Sequence, residues 1–302
     1  MDQLALDYAG QPVAFIEHDV NRAPPSRYGR WWAGFSGGSA VLPLIMVDSG
    51  NQVSQGYASY YKVYGSMVDT ALARPPQAGI QATWWRAGDQ AQFYIRVHNQ
   101  LTETLSSSLN EATVHAIVYE DVRLLVTGRY SRAAVESAVT DLAPDGTVTL
   151  RLDTAGLAYV NWDKLHAVVA LDYRPAGHSG PFDMLQAAAA QRTAGGLVAV
   201  PDRVSWVIDP SAAEPLTETL TLEGPAFSGW TATPGVPWIA ITPAGGTMDQ
   251  RPVLRVIAEL LADGWQEGAV QVATTDGLLS SEVRVGVQVT RSSRLYLPLA
   301  AR

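Results

Sequence analysis

The sequence predicts a mainly β multidomain protein: a small α/β segment, then a middle β-sandwich-like domain, then a C-terminal β-sandwich. Three observations predict it. Short runs of alternating or wholly apolar residues, bounded by Gly, Pro, Asp and Ser, recur from residue 77 to residue 292. Only residues 1–74 switch back and forth between helical and strand periods. The chain has 302 residues, 47% hydrophobic and 17% charged, which is enough to bury more than one core.

Residues 1–74 read as α-β-α-β-α. "MDQLALDYAG" sets Leu4, Ala5 and Tyr8 at helical spacing and stops at Gly10, and "PVAFIEHDV" is a short apolar strand. "PSRYGRWWAGF" is a second helix and "AVLPLIMVDSG" a buried strand closing on an Asp48-Ser49-Gly50 turn. "YASYYKVYGSMVDTALA" is helical until Arg74-Pro75-Pro76 ends it. Residues 77–192 are strands: "IQATWWRAGDQAQFYIRVHNQ" is strand, turn, strand, and "EATVHAIVYEDV", "GTVTLRLD" and "LHAVVALDYRP" add more. "FDMLQAAAAQR", Ala-rich and free of Gly and Pro, reads as a closing helix or edge connection. "RTAGGLVAVPD" reads as a linker. Residues 197–292 hold "RVSWVID", "LTETLTLEG", "PWIAITP", "PVLRVIAE", "GAVQVATT" and "SEVRVGVQV", the spacing of an immunoglobulin-like sandwich. Residues 293–302 are a tail, read as an edge strand or an unstructured end.

Charge and composition narrow the function classes. The net charge is −8, and Lys and Arg are nowhere clustered, so a phosphate-backbone footprint is missing and nucleic acid is not an expected partner. With no Cys, the chain has no disulfide, thiolate metal site or Cys nucleophile. No apolar run is long enough to span a bilayer, so no transmembrane segment is expected. The opening residues lack the basic region and cleavage site of a secretory signal, which leaves a cytoplasmic protein or a start that lies upstream.

Reactive motifs are weak throughout. Gly34-Phe35-Ser36-Gly37-Gly38 fits G-x-S-x-G, but it runs from helix into strand, the reverse of a nucleophile elbow. His18, His98, His115, His166 and His178 show no helical zinc spacing, and the strand pattern makes His98, His115 and His166 sheet residues. In Glu17-His18-Asp19 the histidine points away from its neighbours, and Glu120 and Asp121 splay to opposite faces. No catalytic residue, metal site or cofactor is expected.

Aromatic residues leave more open. Adjacent strand positions face opposite ways, so Trp84 and Trp85 cannot share a core, and one is expected at solvent or another domain. A second Trp pair, Trp31-Trp32, lies in the helical stretch "PSRYGRWWAGF". In "GWTATPGVPWIAITPAGGT", Trp238 precedes the alternating Ile239 and Ile241 and is the structural, core residue. Trp230, beside Gly229 at a strand start, is either a second packing residue or a sugar-stacking one, and is the ligand candidate.

Three resemblances add to this reading. "LPLIMVDSGNQVSQG" after "PVAFIEHDV" resembles the second half of a thioredoxin-like fold, with Pro43 in the place of the family's structural proline, usually cis. The family's first strand and Cys-x-x-Cys do not precede it, which implies a truncated remnant. "VVALDYRPAGHSGPFDMLQAA", with Met184–Ala187 as its "VLQA"-like segment, looks like the β-domain that accompanies such units in bacterial envelope proteins. "GWTAT", "PWIAITPAGGT" and "DGWQEGAVQVAT" resemble the BACON family, immunoglobulin-like modules of bacterial surface and secreted proteins. Together these imply a non-catalytic envelope or secreted binding or adhesion module, with a glycan or surface protein as partner. One alternative is the remainder of a thiol-disulfide oxidoreductase-like protein whose Cys-x-x-Cys lies upstream. A structural spacer is the other.

Overall fold

The computed structural model describes residues 2–18, 25–36, 38–56, 60–123, 127–209 and 215–290. The tail at 293–302, Asp19 and Gly37 lie outside these. The chain is mainly β and falls into two compact units, Met1–Ala194 and Gly195–Arg302. Segments 1–74 and 77–192 therefore belong to one compact unit.

The N-terminal unit opens with helix α1 (Asp2–Asp7), which ends before Gly10 at φ +82°. Helix α2 (Pro25–Phe35) begins at a proline, whose missing N–H costs nothing in a first turn. Strands β1 (Leu44–Val47) and β2 (Gln52–Gln55) form an antiparallel hairpin across Asp48, Ser49 and Gly50, all at positive φ. The Leu42–Pro43 bond just before β1 is cis, and the Pro43 carbonyl accepts from the Gly56 N–H at 3.1 Å. Helix α3 (Tyr60–Leu72) buries Tyr64, Met67 and Val68, one helical face, and Tyr64 and Met67 cluster with Leu4. The strand expected at "PVAFIEHDV" is not a ladder. Among its described residues it makes one bridge, Glu17 to Tyr130 on the edge strand of the sandwich, with Glu17 N–H on Arg129 O at 2.7 Å and Ser131 N–H on Glu17 O at 2.9 Å.

The sandwich follows. Strands β3 (Ala78–Ala87) and β4 (Gln90–Asn99) form a hairpin, and the single-turn helix α4 (Ser107–Asn110) leads to β5 (Thr113–Arg123). Next come β6 (Thr127–Ala138), β7 (Thr147–Asp153), β8 (Leu165–Tyr173), β9 (Asp183–Ala189) and β10 (Gln191–Arg192). One sheet has the order β10-β3-β4-β7 and the other β6-β5-β8-β9. Trp84, Phe93, Ile95, Val114, Val118, Val169 and Leu171 fill the core of this sandwich. The helix expected at "FDMLQAAAAQR" is strand instead: β9 pairs with β8 across a bulge at Leu171/Asp172, and the free ladder edge of β8 overrides alanine's helix propensity.

In the C-terminal unit the segment read as a linker contributes β11 (Val198–Val200), paired with residues Thr221–Glu223, and buries Leu197 and Ala199. The remaining strands are β12 (Arg203–Ile208), β13 (Thr217–Thr219), β14 (Thr221–Glu223), β15 (Gly229–Pro234), β16 (Ile239–Thr242), β17 (Gly245–Thr247), β18 (Val253–Val256), β19 (Gly264–Thr274) and β20 (Ser280–Val289). They make a five-stranded sheet β12-β20-β19-β15-β17, a three-stranded sheet β13-β18-β16 and the β11-β14 pair. Strand β12 runs parallel to β20, while β15, β19 and β20 are antiparallel.

Candidate functional site

The two units treat the outer face of a sheet differently. In the N-terminal unit β5 and β8 are buried on both faces: β5 from Thr113 to Val118 without a break, β8 at every position but His166. A strand with one wet face alternates, so unbroken burial means that the outer face is covered. Helix α2 helps to cover it. The Trp31 Nε1–H donates to Asp172 Oδ2 at 2.6 Å, and Arg30 Nη2 donates to Asp172 Oδ1 at 3.0 Å and to the Glu111 carbonyl at 2.7 Å. His115 Nε2 lies 3.0 Å from Asp172 Oδ2, its Nδ1 lies 3.2 Å from Glu136, and its ring meets Trp31 edge-on at 5.7 Å.

Phe182, fully buried, lies between the Arg30 and Arg174 guanidinium groups at 3.8 and 4.3 Å. Gly34 permits this approach, since a Cβ there would stand 2.9 Å from the Phe182 ring. Burial pushes the Asp172 carboxyl upward, but the His115 charge and hydrogen bond, the Arg30 charge and the Trp31 donor outweigh it and hold it below the usual 3.8. Asp172 and His115 are both buried. This cluster is a clamp between helix and sheet, with its acid and imidazole committed to each other rather than turned to a substrate.

The other expected sites also resolve into packing. Ser36 is exposed just past α2, and the strand follows the helix, so no nucleophile elbow forms. Glu120 turns one way, to Arg132 at 2.7 Å and the Asn161 N–H at 2.8 Å, and Asp121 the other, to His166 at 3.3 Å. His98 pairs with Asp145 at 2.8 Å. Among the described residues no three His, Asp or Glu side chains form a group able to hold a metal ion. Trp84 enters the inter-sheet core and stacks on Phe93, while Trp85, which by strand alternation takes the other face, is buried too, with Nε1 on Gln92 at 3.0 Å. Trp31 and Trp32 are likewise buried.

In the C-terminal unit Trp230, the expected ligand contact, is fully buried, and its Nε1–H donates to the Thr247 carbonyl at 2.8 Å. The correction has a plain cause: position 230 shares its parity on β15 with buried Ala232, so the indole enters the core. Trp238 is buried as well, against Gly268, where a Cβ would stand 3.0 Å from Cζ2.

Trp265 is half-exposed, at 51%, while Trp206 on β12 is only partly buried. On β19 and β20 Val270, Val272, Val283, Val285 and Val287 face inward and Glu267, Gln271, Glu282 and Arg284 face out, the alternation breaking at Gly286, which is buried on the outer face. Trp265 belongs to the outward set. It pairs with Gln288 and reaches diagonally over Gly286, where a Cβ would fall 2.5 Å from its Cη2 and 2.6 Å from its Cζ2. Its Nε1–H donates to Glu267 Oε1 at 2.8 Å. Ser205 of β12 pairs with Gly286, and Val207, 74% exposed, pairs with Gln288. A glycine inside a strand marks a close approach, and here the neighbour that approaches is the indole. Sequence reasoning passed over Trp265, although its parity with Glu267 and against Val270 placed it on the wet face.

No family model matches the chain, and no curated protein matches it. Solved structures give only low-scoring likenesses. A GH5 xyloglucanase of Bacteroides ovatus, in complex with a heptasaccharide, is 16% identical over 32% of this chain and 19% of its own, at TM-score 0.26. Red sea bream transglutaminase is 12% identical over 82% of this chain and 37% of its own, at TM-score 0.23. The sialic-acid-binding region of a Streptococcus sanguinis adhesin is 9% identical over 72% and 78%, at TM-score 0.25. Likenesses of this size establish neither fold nor function for this chain.

Proposed function

We propose that this chain is a non-catalytic binding module of a bacterial envelope or secreted protein, that its C-terminal unit is the BACON-like part, and that this unit binds glycans through Trp265. The single observation that carries the reading is the indole whose Cζ2–Cη2 edge stands over Gly286, with half its surface in solvent and its N–H fixed by Glu267. The negative face of an aromatic ring attracts the weakly positive C–H hydrogens of a sugar ring, and polar groups at the ring's edge meet its hydroxyls. Glu267 stands at that edge and accepts the indole N–H, while Gln288 is the register partner of Trp265 on β20. Because the Trp is fixed before the ligand arrives, little side-chain freedom is lost on binding.

The clamp around Asp172 supports the non-catalytic half of the reading, since its acid and imidazole are buried and mutually paired. The test is a glycan array probed with the wild type and with Trp265→Ala. Signals confined to the wild type support the proposal. Equal signals, or none from either protein, remove it and leave the spacer reading.

A further inference from the structure

We infer that His115 is held as a buried imidazolium between Asp172 and Glu136, and that this proton keeps helix α2 on the sheet, so that raising the pH releases the helix. The inference stands apart from the glycan reading and concerns the N-terminal unit alone.

Geometry carries it. Nε2 of His115 lies 3.0 Å from Asp172 Oδ2 and Nδ1 lies 3.2 Å from Glu136 Oε2, so each ring nitrogen faces a carboxylate oxygen. A neutral imidazole has one N–H, and its other nitrogen presents a lone pair; only the imidazolium presents a proton on both sides. Neither carboxyl is placed to supply the missing proton. The Glu136 side chain is 41% exposed, so water solvates its charge. Asp172 accepts from the Trp31 Nε1–H at 2.6 Å and from Arg30 Nη2 at 3.0 Å, and such donors favour the ionised form.

The charge around the ring agrees. Arg30 and Trp31 face it from α2, Asp172 from β8 and Glu136 from β6. Beyond Arg30 lies Glu111, which also binds Arg174 at 3.0 Å and meets the exposed His178 at 3.5 Å. Among the described residues these are three carboxylates, Asp172, Glu136 and Glu111, and two guanidinium groups, Arg30 and Arg174. A charged His115 brings the sum to zero. A neutral ring would leave one negative charge over, beside an aspartate side chain with no exposed surface, and buried charge is tolerated only when paired.

The direction of the pH effect follows. In an unfolded chain histidine gives up its proton near the ordinary value of about 6.5. Carboxylates gained on folding favour the charged form, so the stabilisation is whole below that value and is lost as the pH rises through the higher folded one. Once the proton leaves, one carboxylate faces a bare nitrogen, and Asp172, to which Trp31 and Arg30 tie α2, sits in a cluster with excess negative charge.

Histidine side-chain NMR of the nitrogen-labelled full chain tests this, with His115 identified by its contact with the Trp31 ring. At about pH 8, above the ordinary histidine range, His115 is expected to show a proton on both nitrogens. At higher pH it loses one, and the Trp31 indole N–H resonance moves with the same midpoint. In Glu136→Gln, a change at a part-exposed side chain, that midpoint falls by about one pH unit. A ring with one bare nitrogen at about pH 8 overturns the inference. So does a Trp31 signal that stays put while the ring titrates, a ring that holds both protons until the whole unit unfolds, or a midpoint that Glu136→Gln leaves unmoved.

Discussion

The outer face of the β5–β8 sheet and the outer face of the β19–β20 sheet are the same kind of surface put to opposite uses. Helix α2 helps close the first, and the closure is held by charge: Asp172 receives Trp31, Arg30 and His115, and Phe182 sits between two guanidinium groups. On the second, among the described residues, the strands carry exposed Glu267, Gln271, Glu282 and Arg284 and a half-exposed Trp265 whose ring edge stands over Gly286. Glycine serves both faces in one way, by letting an aromatic ring come close. Gly34 admits α2 to Phe182, and Gly286 admits Trp265 to the sheet. What separates the faces is what covers the ring. Burying an ion cluster ties a helix to a sheet at a high penalty for losing one partner. An exposed Trp contributes little to its own fold and remains for a ligand.

The largest expected effect falls on the closed face. Asp172→Asn strips the counter-charge from Arg30 and His115 and is expected to destabilise the N-terminal unit by about 3–5 kcal/mol, read by calorimetry or urea melts. The same carboxylate gives the unit a pH dependence. Its folded pKa is lowered, so its contribution is present above the usual 3.8 and lost as pH falls through the lower folded value. Acid unfolding of the wild type below about pH 4 should therefore lose its Asp172 component in Asp172→Asn. A variant with an unchanged melt would show that α2 is held by apolar packing alone.

Within the C-terminal unit the contrast is between two tryptophans. Trp230→Ala empties a fully buried site and removes the Thr247 hydrogen bond, for an expected cost of about 3–5 kcal/mol. Trp265→Ala on the open face is expected to change stability by about 0.5 kcal/mol. Urea melts of the two variants check this. Equal costs would mean that Trp265 is a packing residue and would break the comparison.

How much of this was legible in sequence follows the same line. Helices α2 and α3 could be read because Pro25 opens one and Arg74-Pro75-Pro76 closes the other. Strands with β-branched and aromatic residues, such as β3, β4 and β8, were equally plain. Strands β6 and β9 were not: "TGRYSRAAVESA" was passed over and "FDMLQAAAAQR" read as a closing helix or edge connection, because alanine takes its conformation from whichever ladder edge is free. The clamp was hidden because Arg30, His115 and Asp172 come from three distant segments, and nothing in their local spacing joins them. The candidate binding residue was hidden for a smaller reason. Weighing Trp230 and Trp238 by the turns between them ignored parity, which puts Trp230 with Ala232 inside and Trp265 with Glu267 and Gln271 outside.

The indole N–H resonances of the isotopically labelled chain test the central claim most directly, because Trp230, Trp238 and Trp265 each report their own site during titration with a soluble glycan drawn from the array. The account predicts that the Trp265 signal shifts in a saturable way while those of Trp230 and Trp238 stay fixed. A saturable shift at Trp230 with Trp265 unmoved would contradict it.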